Sequence, residues 1–381
     1  MKRPLMLPLV PFYAAGLALR ETRLQRGWEQ VRRLRYPVIS IGNLSTGGSG
    51  KTPLTIALAR LLSAHGFQVD VLSRGYGRRS AAPRRVDPNG SADEFGDEPL
   101  LIAREAGVPV YVAPERYDAG QLAEADWSRR EKGPADELPD FVNDENATTR
   151  KSSVTGHDFS RAEAQLNNPG ALAPASPHIH ILDDGFQHRQ LARDIDILLV
   201  NREDWHDHLL PAGNLREPAQ AARRASVLAI PSEDPAFEHE LRVWGWTGPI
   251  WRIRRRIEIP PTDGPVAAFC GIARPEQFFA GLEAAGLRVA AKKAFADHHR
   301  YSPRDIVTLL AKARAVGAVA VVTTEKDQAR MGRLLIDLSA RLPLRLVRLT
   351  SRLDDEPNAA AWLNQKLTSE RRNSPFLRLK W

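Results

Sequence analysis

The chain has 381 residues, 43% of them hydrophobic, with a single cysteine and a formal charge of +8. That length suits about two or three domains of a globular protein and excludes a disordered or fibrous chain. One thiol excludes an internal disulfide or a multi-cysteine metal site, and the positive balance favours anionic partners.

Residues 4–19, PLMLPLVPFYAAGLAL, are apolar throughout, and Arg20, Arg23, Arg26, Arg32, Arg33 and Arg35 come after them. The run falls short of the roughly 20 residues of a membrane span, and Pro4, Pro8 and Pro11 crowd its start. A secretory signal fits poorly, because a nucleotide loop begins almost directly afterwards. The pattern predicts an interfacial helix over residues 12–29, with its apolar end in lipid and its arginines on acidic headgroups. The plainer alternative is a helix packed on the protein's own core.

Residues 38–55, VISIGNLSTGGSGKTPLT, organise the rest of the chain. An apolar strand over 38–41 leads through a glycine-rich turn into a helix that carries Leu54, Leu58, Leu61 and Leu62 on one face. Strand, glycine loop, Lys-Thr and helix form the context of a phosphate-binding loop. Gly47, Gly48 and Gly50 let backbone N–H groups turn toward an anion, and the helix N-terminus adds donors and a favourable dipole. Candidate nucleotide contacts are therefore Ser45, Thr46, Gly47, Gly48, Ser49, Gly50, Lys51 and Thr52. Lys51 reaches the β- and γ-phosphates, and the Thr52 hydroxyl suits magnesium. Ser45 stands where the generic pattern has glycine.

Next, a strand over 69–72 ends in Ser73-Arg74-Gly75-Tyr76-Gly77-Arg78-Arg79, which suits an anion-lined cleft or a solvated loop. Asp97 and Glu98 open a helix, either as caps or as a base and a metal-orienting group. A strand over 108–112 and a helix over 116–125 precede residues 126–175, a polar, aperiodic stretch that reads as a surface insertion without chemistry. A strand over 178–182 then ends in Asp183-Asp184-Gly185-Phe186-Gln187-His188. Acidic residues at a strand's carboxyl end, downstream of a phosphate loop, hold or orient magnesium; an Asp-Gly turn is the alternative. Gln187 and His188 fit either substrate contact or loop packing, and Arg216 is a candidate for a substrate anion. His206 and His208 read as solvated loop histidines. Strands over 195–200 and 227–230 complete this sheet, and the alternating strand 251–259 reads as an inter-domain connection.

From residue 265 a second unit begins, with strands over 266–270, 287–291, 318–323 and 344–349 and helices over 275–285 and 303–316. Within it, His298 or His299 beside Asp297 is a candidate proton-transfer group, and Lys326 faces either phosphate or a salt-bridge partner. The fold class expected is α/β, with the domains divided as 1–36, 37–245, 246–264, 265–350 and 351–381. No helix-turn-helix, zinc finger or basic-aromatic stripe points to nucleic acid, and no obligate protein partner is expected. The phosphate loop by itself fits a kinase, an ATPase, a metallochaperone or a nucleotide-regulated membrane adaptor. A GTPase is disfavoured, because no Asn-Lys-x-Asp loop is present.

Taken together, GNLSTGGSGKTP, LSRGYGR, GDEP, DDGFQHRQLARDIDI, LLPAGNLREP, FCGIARPEQF, FADHHRYS and TTEKDQAR resemble the tetraacyldisaccharide 4′-kinase family of Gram-negative bacteria, over residues from about 37 to 350. The resemblance implies a P-loop NTPase-type parallel-sheet domain, a second, smaller Rossmann-like α/β domain, and an N-terminal membrane-interfacial helix. It implies magnesium-dependent transfer of the ATP γ-phosphate to the 4′-hydroxyl of an acylated glucosamine disaccharide 1-phosphate, giving lipid IVA. The setting implied is the cytoplasmic face of the inner membrane, with its anionic surface as partner. By motif match, Asp97 is the catalytic aspartate, paired with His298, and Glu98, Asp183 and Asp184 serve the metal site with Thr52. Arg74, Arg78, Gln187, His188 and Arg216 stay the candidate substrate contacts that the residues themselves suggest. The stretch 126–175 is the main departure from the family pattern.

Overall fold

A computed structural model describes residues 3–48, 50–132 and 177–373. Ser49 and most of the stretch 126–175 lie outside the described residues. The N-terminal residues form a short 3-10 helix, Pro4–Leu9, and then α1 (Val10–Gln25). The helix begins two residues before the expected position, because Pro11 falls in its first turn, where no backbone N–H is needed. It stops before Gly27, whose φ of 70° is left-handed, and so does not reach Glu29.

The helices pack on both faces of one twelve-stranded sheet. Its strands are β1 (Val38–Asn43), β2 (Gln68–Ser73), β3 (Arg84–Arg85), β4 (Val110–Val112), β5 (His178–Asp183), β6 (Ile195–Leu199), β7 (Val227–Pro231), β8 (Ile250–Glu258), β9 (Val266–Cys270), β10 (Val289–Ala294), β11 (Ala320–Thr324) and β12 (Leu344–Leu353). Their order across the sheet is 10-9-11-12-8-7-6-1-5-2-4-3. All neighbours run parallel except β12 with β8 and β3 with β4.

β1 is buried along its whole length, as expected of a central parallel strand with covered faces. Side-chain alternation sends Ile39 and Ile41 into one core, with Leu54, Leu58 and Leu62 of α2 (Lys51–Ala64), while Val38 joins Leu72, Tyr111 and Leu182 on the other face. The first half also holds α3 (Ala92–Phe95), α4 (Asp97–Glu105) and α5 (Arg116–Lys132). α5 continues seven residues beyond the expected end, because the buried Trp127 stacks on the His178 and His180 rings of β5 at 4.1 and 5.0 Å.

After β6 and β7 come α6 (Arg202–Trp205) and α7 (Pro235–Val243). The half-buried strand expected over residues 251–259 is present as β8. β8 continues the sheet in parallel register beside β7, and buries Trp251 and Ile253. An alternating pattern cannot distinguish a linking strand from one that extends a sheet.

The remaining helices are α8 (Pro275–Ala284), α9 (Pro303–Ala315), α10 (Glu325–Met331), α11 (Leu334–Ser339) and α12 (Glu356–Asn373). β12 serves both halves of the sheet. Its first residues, Leu344 to Val347, pair in parallel with β11, and Arg348 to Leu353 pair antiparallel with β8.

Candidate active site

Beyond the carboxyl ends of β1 and β5, Lys51 meets Asp184, and the start of α4 and the segment after β6 meet side chains carried beyond β9, β10 and β11. Ligands in open parallel sheets bind at such strand ends.

After β1 the chain turns through Gly47 (φ 91°) and Gly50 (φ 86°), both in the region that favours glycine. Gly50 caps α2. The Lys51 ammonium donates to Asn43 Oδ1 at 2.9 Å and lies 3.4 Å from Asp184 Oδ1. Thr52 is buried one residue further into the helix. Ser45 is also buried, and its hydroxyl donates to Asp204 Oδ2 at 2.7 Å.

The two aspartates at the end of β5 are shifted in opposite directions. Asp183 is buried and accepts only long bonds, from the Thr55 and Ser73 hydroxyls at 3.2 and 3.3 Å. Burial, aided by the nearby Glu98 and Asp184 carboxylates, pushes it up to about 7. Asp184, at φ 49°, faces Lys51 and Arg216, the latter at 3.1 Å. Burial opposes its ionisation, but Lys51 and Arg216 outweigh it and hold the group at about 2.

Asp97 and Glu98 occupy the first turn of α4, which packs against α10. Arg330 of α10 donates through Nε to Asp97 Oδ2 at 2.7 Å, and Lys326 pairs with Glu98 Oε1 at 2.5 Å. His298 Nδ1 lies 3.3 Å from the same Asp97 oxygen. His298 is held at φ 56° by bonds from its backbone N–H to the Gly271 carbonyl and the Asp297 carboxylate. Burial raises the Asp97 pKa, but the His298 hydrogen bond and the charges of Arg330 and Lys326 win and keep it far below the usual carboxylate range. His298 is raised, first by its bond to Asp97. His299 instead pairs with Asp305 at 3.2 Å and stacks on Phe295.

A cationic wall stands beside Asp184. Gln187 donates to the Asn43 carbonyl at 2.9 Å and accepts from Arg216, whose carbonyl in turn accepts from the Tyr13 hydroxyl of α1 at 3.0 Å. Arg20 of α1 reaches the Gln187 carbonyl. Burial, with Arg116, Arg193, Arg20 and Arg74 around it, drives His188 down to about 4. Arg74 is exposed at the end of β2.

Two expected contacts are otherwise engaged. Arg78 gives its guanidinium to the Ala82 and Ala81 carbonyls at 2.7 and 2.9 Å, so it braces its own loop. Lys326 meets Glu98 in place of a phosphate. His206 is exposed and pairs with Glu240.

Asn43, Arg116 and Arg330 escaped the sequence reading. Arg330 carried a signal, because it lies four residues after Lys326 and so shares its helix face. Arg116 opens α5, is buried beside Asp184, and has an Nε without a partner among the described residues. Nothing in its local sequence marks it.

A phosphate loop with its lysine beside the half-buried Asp184, together with a carboxylate–imidazole pair, defines a P-loop phosphoryl-transfer protein that binds ATP. The family model for LpxK, tetraacyldisaccharide-1-P 4′-kinase, matches residues 2–132 and 149–368, and the chain belongs to this family. It is 37% identical over 361 residues to the tetraacyldisaccharide 4′-kinase of Koribacter versatilis, covering 92% of this chain and 95% of that one. The Chromobacterium violaceum enzyme of the same name is 32% identical over 379 residues, covering 96% and 94%. The crystal structure of the "apo" form of LpxK from Aquifex aeolicus in complex with ATP superposes with a TM-score of 0.65 at 28% identity, covering 95% of this chain and 98% of that one.

Proposed function

We propose that this chain transfers the γ-phosphate of ATP to the 4′-hydroxyl of a tetraacylated glucosamine disaccharide 1-phosphate, at the cytoplasmic face of the inner membrane. The observation that carries the reading is the Asp97–His298 pair, assembled from α4 and the loop after β10, in the same cluster of charges as Lys51. Asp97 stays ionised and orients the acceptor hydroxyl, and the Asp97–His298 pair takes up its proton as the oxygen attacks in line. Lys51 and the loop N–H groups stabilise charge on the transferred phosphoryl group. Arg216 and Arg116 line the acceptor side.

The residues present fit magnesium. Among the described residues no three His, Cys, Asp or Glu side chains form a ready cage. Magnesium, however, is held by one or two carboxylates with water and phosphate oxygens. Asp183, a buried carboxylate crowded by Glu98 and Asp184 and, among the described residues, without a cationic hydrogen-bond partner, suits that role beside Thr52. Asp184 and Glu98 complete the acidic set. When bound, the ion would neutralise charge on the β- and γ-phosphates.

Among the described residues no helix is long and apolar enough to cross a membrane. α1 buries none of its residues, and Leu5, Leu9, Phe12 and Leu19 are exposed. Such a surface fits peripheral or monotopic association at the membrane interface, where a lipid acceptor would be presented.

The test supplies γ-labelled ATP, magnesium and the acylated disaccharide 1-phosphate to the protein in detergent. Label on the lipid's 4′ position, lost in Lys51→Ala, is expected. Label released only as free phosphate, with or without lipid, would replace the kinase reading with an ATPase.

A further inference from the structure

The phosphate loop departs from its generic pattern at Ser45, and that side chain starts a continuous polar chain. Its hydroxyl donates to Asp204 Oδ2 at 2.7 Å and accepts from Asn43 Nδ2 at 3.1 Å. Asn43 then presents its Oδ1 to Lys51 Nζ at 2.9 Å. On the other side, Arg274 from the loop after β9 donates to Asp204 Oδ1 at 2.5 Å. Asn201 Nδ2 adds a bond to Asp204 Oδ2 at 2.8 Å, and its side chain also caps α6, fixing the carboxylate. Ser45, Asn43 and Asp204 are all buried.

We propose that Arg274, Asp204 and Ser45 are positioning residues that set the Lys51 ammonium through Asn43, so that the half of the molecule beyond β8 controls nucleotide binding. The proposal rests on the reading of the loop as an ATP site. The chemistry is directional. Asn43 has one amide oxygen and one amide nitrogen on the same carbon. Ser45 accepts from the nitrogen, which leaves the oxygen facing the lysine. Without the serine hydroxyl the amide is free to turn its N–H₂ toward an ammonium, which repels it. Asp204 fixes the hydroxyl as donor, and Arg274 balances the buried carboxylate, which would otherwise be costly to hold ionised.

A second set of contacts reaches the loop from the same side. A Cβ added at Gly47 would come within 3.1 Å of Ala273, next to Arg274. One added at Gly50 would lie 2.9 Å from the guanidinium carbon of Arg255 on β8. Residues from β8 and beyond therefore approach the loop directly at Gly47 and Gly50, and reach Ser45 through Asp204 of α6.

The experiment measures binding of a fluorescent ATP analogue to the full chain without lipid, in wild type, Ser45→Gly, Arg274→Ala and Arg274→Lys. Ser45→Gly restores the generic motif, so a serine without a role would leave affinity unchanged. The relay instead predicts a loss of about tenfold, the effect of one hydrogen bond to a charged group. Arg274→Ala should lose a similar factor, and Arg274→Lys should recover part of it. The combined Ser45→Gly/Arg274→Ala variant should be no weaker than the weaker single variant, because both cut one chain. In a Lys51→Ala background, Arg274→Ala should cost nothing further, whereas a merely structural brace would still cost affinity. Multiplicative losses, or full affinity in Ser45→Gly, would overturn the relay. Should one variant fail to fold, the Arg274→Lys result and the Lys51→Ala background decide alone. A wild-type chain that binds no ATP would sink the nucleotide reading itself, a separate outcome.

Discussion

Asp97 meets two groups from the other half of the sheet, the Arg330 guanidinium and the His298 imidazole. Asp97 remains ionised through the physiological range, so on the proposed mechanism proton uptake depends on a neutral imidazole. His298 binds its proton more tightly than a free histidine, so turnover should rise with pH through a midpoint shifted upward from that of a free histidine. A pH–rate profile of kcat checks the direction. Asp97→Asn should lower kcat by roughly 10²–10⁴-fold. His298→Gln should also cost a large factor, whereas His299→Gln should stay within a few-fold of wild type, because its ring faces Asp305 and Phe295. Steady-state rates on the three variants test the assignment.

A second buried histidine acts on stability. His180 bonds to Asp70 at 2.8 Å, and although burial opposes the charge, the carboxylates of Asp70 and Glu124 raise it to about 9. A raised folded value means the native state holds a proton that the unfolded chain releases. The stabilisation is therefore full below about pH 6.5 and fades as pH climbs toward 9. Melting temperatures at the two ends should differ more for wild type than for the neutral pair Asp70→Asn/His180→Gln.

Among the elements, α5 shows where local pattern stops informing. The β1–loop–α2 unit was legible because its apolar periods, glycines and Lys-Thr lie within a short stretch of chain. The end of α5 was not, since Trp127 is surrounded in sequence by polar residues and finds its partners, His178 and His180, only across residues 133–176. Likewise Arg330 and Asp97 are 233 positions apart, and no local rule joins them. The two carboxylates at the end of β5 were legible as a pair, but the opposite directions of their pKa shifts arise from neighbours brought by folding. Trp127→Ala should cost about 3–5 kcal/mol of stability, read by urea unfolding, because a buried aromatic leaves a cavity. Removal of residues 133–148, the part outside the family match, should leave turnover within about twofold, as expected for an insertion between the matched segments.

For the molecule as a whole, attachment of α1 to the site through Tyr13 and Arg20 joins the apolar surface to the cationic wall. Phe12→Asp, at a residue 76% exposed, should weaken binding to anionic vesicles and raise KM for lipid acceptor several-fold, with KM for ATP unchanged. Vesicle flotation and the two KM values separate these effects. β12 carries a different consequence, one for biosynthesis. The edge of β8 that β12 covers stays open until residues 344–353 leave the ribosome. At ordinary translation speeds that exposure lasts on the order of ten seconds. During that time an unpaired strand invites pairing with a neighbouring nascent chain. Arg252, Arg254, Arg255 and Arg256 make such pairing repulsive, as charges on natural edge strands do. The arginine-rich strand should therefore disfavour such pairing until β12 arrives.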